Sequence, residues 1–394
     1  MESVTYNPLL PEVRRDPYPT YRALRKADPV HRSPSIGAWV LTRYRDIASA
    51  LRDDRMSADG TRASGYQELQ EVPGPRSMLV VDPPYHTRLR TLVSKAFTPR
   101  AVERLRPRIT ALVGSALDRA AQRGGFELVH ELAYPLPVTV IAEMLGVPPE
   151  DWPRFRGWSR ALVANLDPLS GRDPGQVANA LEARQALGRY LSGIIDRRRL
   201  EPGEDLISGL LAGEGTGEVL TQAELVVMAN LLLVAGHETT VNLITNGTLA
   251  LLGHGQQLAL LREQPELIQP AVEELLRWDS PVQLTARVAT EDLDLGGHRV
   301  QRGESVLALL GAANRDPDQF ADRDRLDITR TPNPHLSFGR GIHFCLGAPL
   351  ARLEAQIAIA GLVARFPKLR LAGEPERSPT VTLRGLTRLP LAVQ

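Results

Sequence analysis

The hydrophobic and polar positions of this chain follow a helical period over most of its length. Thr221 and Glu224 form a capping box, T-x-x-E, at the start of an apolar stretch that continues to about residue 252. At ~1.5 Å per residue this helix would be roughly 50 Å long, enough to cross a domain. Apolar residues also recur at helical spacing in eight other segments: 17–27, 43–53, 85–96, 99–122, 135–145, 179–200, 267–278 and 348–366.

Strand patterns are short by comparison. Apolar pieces predict strands at 39–41, around Val300, at 305–309 and at 369–371, and a hairpin within 380–393. Long helices and few strands indicate a mainly α protein with small β-sheets. The length of 394 residues allows one large domain or two or three smaller ones.

Composition excludes several classes of protein. The chain is 43% hydrophobic and 24% charged, an ordinary globular balance, and its net charge of +1 gives no bulk attraction to nucleic acid. The N-terminus lacks the pattern of a signal peptide. The apolar stretch 225–235 is interrupted by Asn230 and falls short of the ~20 residues that span a bilayer. We therefore expect a cytoplasmic protein that binds neither nucleic acid nor membranes.

Two motif classes are not supported. The glycines at 213, 215 and 217 follow no strand and are flanked by Glu214 and Glu218, which favours a surface turn over a phosphate loop. The histidines contain no H-E-x-x-H pair, so the sequence gives no support for a zinc protease.

The single cysteine excludes an internal disulfide, and a lone cysteine is most often a small buried apolar residue. The segment FGRGIHFCLG, residues 338–347, favours another interpretation. Cys345 precedes a helix whose first turn contains Pro349, and the positive end of that helix would favour a thiolate, the form that ligates metals. Gly341 and Gly347 would let the backbone approach a flat ligand.

A second unusual segment, AGHETT at 235–240, lies midway along the long predicted helix. Glycine and two threonines lower helix stability there, and such departures are often functional. If the Thr239 hydroxyl competes for the carbonyl of Ala235, we expect the helix to open locally and leave a groove.

The pattern F-x-x-G-x-x-x-C-x-G at 338–347 resembles the haem-binding loop of the cytochrome P450 family at every fixed position. The AGHETT segment, the DPPYHTRLR segment at 82–90 and E-x-x-R at Glu274 and Arg277 match the family in the correct order. The resemblance covers about residues 16–390. It implies the triangular P450-like fold as one domain over 1–394, with a β-rich portion at about 1–60 and 280–335. Haem b would lie between the long distal helix and the cysteine-loop helix.

The resemblance also implies roles for particular residues. Cys345 would be the axial iron ligand, Glu238 would gate protons and Thr239 would hydrogen-bond the reacting oxygen. His237 would point away from the iron. The other implied haem contacts are Ala235, Phe338, Gly341, Gly347 and four partners of the haem propionates, namely His86, Arg90, Arg287 and His343.

Further residues are assigned by their positions in the family. Glu274 and Arg277 would form a buried structural network completed by Arg325. Segments 57–80 and about 160–185 would cover the entrance to the substrate pocket. Its walls would include Leu231, Ala235, Val282, Gln283 and Leu386.

The implied reaction inserts one oxygen atom from O2 into a lipophilic small molecule, by hydroxylation or epoxidation. A macrolide, terpenoid, steroid or fatty acid would suit the apolar pocket. The sequence contains no flavin or iron–sulfur motif, so ferredoxin and ferredoxin reductase would supply electrons to a monomeric enzyme. We expect the acidic ferredoxin to dock near Arg88, Arg340 and Arg352.

Three other interpretations compete with this one. A peroxide-driven haem-thiolate peroxygenase would typically lack the Glu238–Thr239 pair. A non-enzymatic haem sensor would not need that pair for proton delivery. A helical interaction protein would bind no cofactor and would show no haem absorption.

Overall fold

The computed structural model describes residues 4–65, 74–163, 174–212 and 220–394. The predicted glycine turn at 213–217, including Glu214, lies outside the described residues together with Glu218. Parts of the predicted entrance segments 57–80 and 160–185 also lie outside them.

Helices account for most of the described chain. They are α1 (Pro11–Arg15), α2 (Tyr18–Ala27), α3 (Tyr44–Ala50), α4 (Tyr85–Ser94), α5 (Pro99–Glu103), α6 (Arg106–Arg123), α7 (Pro135–Met144), α8 (Trp152–Val163), α9 (Pro174–Leu200), α10 (Leu206–Leu211), α11 (Gln222–Gly253), α12 (Gly255–Glu263), α13 (Ile268–Trp278), α14 (Leu310–Ala313) and α15 (Ala348–Arg365).

The strands form small sheets. They are β1 (Val30–Ser33), β2 (Ala38–Leu41), β3 (Met56–Ser57), β4 (Gly125–Glu127), β5 (Leu284–Ala289), β6 (Leu293–Leu295), β7 (His298–Val300), β8 (Ser305–Leu309), β9 (Arg370–Leu371), β10 (Glu376–Arg377), β11 (Leu386–Arg388) and β12 (Pro390–Ala392). The largest sheet has the order β1-β2-β8-β5-β3, in which only the β2–β8 pair is parallel. A three-stranded sheet, β4-β12-β9, and the pairs β10–β11 and β6–β7 complete the set.

Helix α11 is the centre of the helical core. The predicted capping box is present, because the Thr221 hydroxyl accepts from the Glu224 amide and the Glu224 carboxylate accepts from the Thr221 amide. Its length and apolar composition would suffice to span a bilayer, but 56% of its most apolar 18-residue window is buried within the protein. It packs against α7, α9, α13 and α15, so its apolar residues serve the core.

Two predicted elements are wrong. The helix expected at 99–122 divides into α5 and α6, because Pro107 in the first turn of α6 cannot donate a backbone hydrogen bond within a continuing helix. The hairpin expected within 380–393 does not form: β11 pairs with β10, while β12 pairs with β4 and β9. Only Leu389 separates β11 from β12, which is too short for a reversal. The strands β1 and β5 and the helices α8 and α12 were not predicted.

Candidate functional site

The loop that carries Cys345 folds back on itself before α15 begins. The amide of Cys345 donates to the carbonyl of Phe338 over 2.9 Å. Gly339 and Gly341 have φ of 72° and 74°, in the left-handed region that favours glycine. A Cβ at Gly341 would lie 2.3 Å from the Leu51 carbonyl oxygen. Glycine at 341 therefore lets this loop pass closely over the end of α3.

The thiol of Cys345 is both reachable and enclosed. The residue is solvent accessible, yet protein surrounds it closely enough that burial raises its pKa. The amides of Gly347 and Ala348 and the guanidinium groups of Arg90 and Arg352 act in the opposite direction, favouring the thiolate. An accessible sulfur whose surroundings favour the thiolate is suited to ligate a metal.

The four predicted propionate partners come together beside this loop. The rings of His86, on α4, and His343 lie 4.3 Å apart between centroids. Burial, together with the positive charges of Arg287 and Arg90, lowers the pKa of His343 to about 4. Neither ring nitrogen of His86, nor Nε2 of His343, has a hydrogen-bond partner among the described residues.

This cluster has an excess of buried donors and positive charge. Arg287 is 8% exposed, and burial lowers the pKa of its guanidinium and of the Arg90 guanidinium. Arg287 donates to the carbonyl of Ala286 over 2.7 Å, and the charge of Asp82 acts on it from a distance, without forming an ion pair in the described structure. An anionic group would both neutralise the cluster and satisfy its donors.

The AGHETT segment presents backbone toward open space. Ala235 and Gly236 are exposed although Leu233 and His237, on either side, are buried. The Thr239 hydroxyl donates to the Ala235 carbonyl over 3.1 Å, as predicted. The expected local opening is absent, because α11 is continuously α-helical from Gln222 to Gly253. A carbonyl has two lone pairs, so it can accept from the hydroxyl without losing its backbone bond.

The neighbouring side chains of AGHETT point to different environments. Glu238 is partly exposed, and burial of its carboxyl raises its pKa. His237 is fully buried and turns away toward Tyr134, against which its ring packs edge to face. The orientation of His237 relative to the iron stays a prediction.

These features fit haem as the bound group. The accessible thiol of Cys345 offers an axial ligand, and the buried cluster around His86 offers donors for two propionates. An added Cβ at Gly236 or Gly347 would meet no atom within 4 Å, so these positions suit close contact with a flat ring, whereas Gly341 approaches Leu51 instead.

The structural network differs from the prediction in one residue. Glu274 and Arg277 are fully buried and doubly hydrogen-bonded, at 2.7 and 2.8 Å. Arg325 contributes only its carbonyl, which accepts from Arg277, and its side chain is exposed. Arg330 completes the network instead, donating to Glu274 over 3.1 Å, and Asn333 also donates to Glu274. The assignment of Arg325 was wrong because the chain turns between 325 and 330.

One predicted pocket wall is also wrong. The side chain of Gln283 is buried and donates to the Ser280 carbonyl over 2.7 Å, while its oxygen accepts from the Tyr21 hydroxyl. It therefore faces α2. Val282 is half-buried beside Leu383, Leu231 is half-buried, and Leu386 is buried against the helical core. The pocket roles of Leu231, Val282 and Leu386 stay predictions.

The arginines expected to dock a redox partner are mostly engaged. Arg88 forms an ion pair with Glu224 at 2.7 Å, and Arg352 forms one with Glu273 at 2.7 Å. Arg340 donates to the Tyr44 hydroxyl over 3.1 Å. Of the three, only Arg340 forms no ion pair with an acidic residue in the described structure. Because Glu224 and Glu273 offset the charges of Arg88 and Arg352, the proposed docking surface is less positive than the sequence suggests.

Known proteins resemble this chain over almost its whole length. The family model for cytochrome P450 matches residues 159–391. The vitamin D(3) 25-hydroxylase of Pseudonocardia autotrophica is 45% identical, covering 96% of this chain and 94% of its own. The cytochrome P450 PksS of the Bacillus subtilis bacillaene polyketide synthase has a solved structure with a TM-score of 0.92 at 40% identity, covering 99% of this chain and 100% of its own.

A second solved structure is similarly close. It is P450BioI in complex with hexadec-9Z-enoic acid ligated acyl carrier protein, with a TM-score of 0.90 at 41% identity, covering 98% of this chain and 99% of its own. The predicted fold class is confirmed by these likenesses. The chain belongs to the cytochrome P450 family, and it is a haem b-dependent monooxygenase.

Proposed function

We propose that this enzyme inserts one oxygen atom from O2 into a C–H or C=C bond of a lipophilic small molecule, and that Cys345 would ligate the haem iron. The observation that carries the proposal is the accessible thiol of Cys345 beside the cluster of buried His86 and Arg287 with half-buried Arg90 and His343. Haem, when bound, supplies the iron at which O2 is activated. Two electrons and two protons are consumed with each O2, and the second oxygen atom leaves as water.

The chain's own residues hold the cofactor and shield the sulfur. Arg90, Arg287, His86 and His343 would hold the propionates: all four could donate hydrogen bonds, and the two arginines would offset the negative charge. The ring of Phe338 packs between the side chains of Arg352 and Phe344, so it covers one side of the cysteine loop. Amides at Gly347 and Ala348 favour the thiolate form.

Glu238 and Thr239 deliver protons in this proposal. Burial raises the pKa of the Glu238 carboxyl in the direction of neutral pH. A group whose pKa lies near the working pH can both accept and release a proton. The carboxyl remains 24% exposed, so it has access to solvent. Thr239 orients the proton transfer. Its hydroxyl donates a hydrogen bond to the Ala235 carbonyl, and its oxygen can accept another.

The substrate class rests on the relatives. Vitamin D3 and a hexadecenoic acyl chain, named for two of them, are both long and apolar. We propose a substrate of similar lipophilicity, free or carried on an acyl carrier protein. Macrolides, terpenoids, steroids and fatty acids all belong to this range.

The electron donor is proposed to be a ferredoxin, reduced by a ferredoxin reductase, in the cytoplasm. Arg340 and the exposed apolar residues Ile342 (47%) and Phe344 (40%) lie in the cysteine loop and offer a mixed docking surface. The enzyme is proposed to act as a monomer.

Reversal of charge at Arg340 is expected to slow reduction of the enzyme by ferredoxin and to weaken the dependence of that rate on salt. Unchanged rates would argue against this docking surface.

The catalytic assignment is tested by substituting Glu238 and Thr239 separately. Glu238→Gln should slow turnover about 10²-fold, in the range typical of general acid–base groups, and should form less product per NADPH, without loss of haem. Thr239→Ala should retain haem and consume reducing equivalents, but release them as hydrogen peroxide. Tight coupling of NADPH consumption to product in both variants would contradict the assignment. Full activity of the unaltered enzyme with hydrogen peroxide alone would favour the peroxygenase instead.

A further inference from the structure

Ser159 forms a buried polar contact that the proposed proton delivery does not use. It is fully buried on α8, and its hydroxyl oxygen lies 3.1 Å from Nε2 and 3.2 Å from Nδ1 of His237 on α11. The ring of His237 is also fully buried. A polar pair at the centre of a helix–helix contact costs stability unless it is satisfied, so its presence needs a physical reason.

The hydrogen bonds fix the tautomer of His237. Its Nδ1 lies 2.8 Å from the carbonyl oxygen of Leu233, and only a protonated nitrogen can face an acceptor at that distance. Burial lowers the pKa of His237 to about 4, so the ring is neutral near pH 7 and carries one N–H. Nε2 is therefore a bare acceptor, and the Ser159 hydroxyl donates to it.

A second donor competes for the same lone pair. The nearest carboxylate oxygen of Glu238 is 3.9 Å from Nε2, beyond hydrogen-bond range but within reach of a small side-chain rotation. The pKa of Glu238 is raised by burial, so the protonated acid is accessible to it. A protonated Glu238 could donate to Nε2 only if Ser159 did not.

We propose that Ser159 keeps Glu238 available for proton delivery by occupying the one acceptor of His237 that would otherwise capture it. Ser159 is thus a positioning residue for Glu238, and His237 is the competing acceptor that it occupies. This inference rests on the proposed role of Glu238, and it assigns a function to a side chain on α8, outside AGHETT. Tyr134, which precedes α7, also interacts with the charge of Glu238, and Arg160 on α8 lies 5.6 Å from the Tyr134 ring.

Four variants of the haem-loaded enzyme test the inference, with myristic acid as the probe substrate. Ser159→Ala should reduce product formed per NADPH by about three- to tenfold, the effect of one ordinary hydrogen bond changing partner. Ser159→Thr, which keeps the hydroxyl, should restore coupling. His237→Phe removes the acceptor and preserves the packing on Tyr134, so it should stay near the unaltered ratio. The double variant, Ser159→Ala with His237→Phe, should behave like His237→Phe.

An infrared measurement gives a readout independent of turnover. The carboxyl C=O band that disappears in Glu238→Gln should, in Ser159→Ala, move to lower frequency and persist to higher pH. Both changes are expected because a hydrogen bond to His237 stabilises the protonated acid. In His237→Phe the band should show neither change.

The outcomes separate this inference from the proposed function. If Glu238→Gln uncouples the enzyme but Ser159→Ala changes neither coupling nor the infrared band, Ser159 has no such role. Equal losses in Ser159→Ala and in the double variant would also contradict it, since they would indicate a packing effect. If Glu238→Gln leaves coupling intact, the proposed proton delivery itself is wrong.

Discussion

Glu274 accepts hydrogen bonds from two arginines in the interior of the protein, Arg277 and Arg330. Removing one of these arginines would leave the negative charge of the buried Glu274 carboxylate only partly compensated. We expect Arg330→Ala to lower the free energy of unfolding by about 3 kcal/mol, measured by urea denaturation of the haem-loaded enzyme. Arg325→Ala is the matched control, since its side chain is exposed, and should change stability by less than about 0.5 kcal/mol. Equal losses in the two variants would contradict the assignment of Arg330.

Gly339 and Gly341 allow a second comparison of single residues. Both have positive φ, so alanine at either should cost about 1–2 kcal/mol in backbone strain. A Cβ at Gly341 would also collide with the Leu51 carbonyl, whereas the nearest atom to a Cβ at Gly339 is 3.8 Å away. Gly341→Ala is therefore expected to lower haem content, measured by absorbance, more than Gly339→Ala does. The reverse order would show that the contact with Leu51 does not shape the loop.

At the scale of elements, Glu224 ties α11 to α4. It caps α11 at Thr221 and accepts from Arg88 at 2.7 Å and from the Tyr85 hydroxyl at 3.0 Å. The hydrogen bonds from Arg88, Thr221 and Tyr85 overcome the effect of burial and lower the pKa of Glu224 to about 2. Because α4 also carries His86 and Arg90, this contact orients the cationic cluster relative to α11.

The lowered pKa of Glu224 has a defined effect on stability. The folded-state pKa lies below the ordinary carboxyl value of about 4.3, so the stabilisation is complete above that value and is lost as the pH falls toward 2. Glu224→Gln should cost about 2 kcal/mol at pH 7, the scale of hydrogen bonds to a charged group. The difference between the two proteins, followed by denaturation at several pH values, should shrink below about pH 4. A constant difference across that range would contradict a charge-based contact.

Local pattern predicted some elements and missed others for physical reasons. The capping box and the apolar period predicted α11 almost to its ends, because both signals lie within the element itself. The division of α5 from α6 depended on Pro107, and the pairing of β11 with β10 depended on contacts outside the segment. Arg330 and Ser159 were missed because their partners, Glu274 and His237, lie 56 and 78 residues away.

For the whole molecule, the haem site joins distant parts of the chain. His86 and Arg90 come from α4, Arg287 from β5 in the largest sheet, and Cys345 from the loop before α15. A ligand that binds only the folded state stabilises it by mass action. Extraction of haem should therefore lower the melting temperature, and addition of haemin should restore it. Equal melting temperatures with and without haem would contradict a site assembled from these elements.

Ligation of iron by Cys345 is the central claim, and a reduced carbon-monoxide difference spectrum tests it most directly. The purified enzyme should show the long-wavelength Soret band of a thiolate-ligated haem carbonyl complex. Cys345→His should shift that band to the position typical of histidine ligation and abolish oxygenation. A protein without a Soret band, or a thiolate band that persists in Cys345→His, would contradict the assignment of the axial ligand.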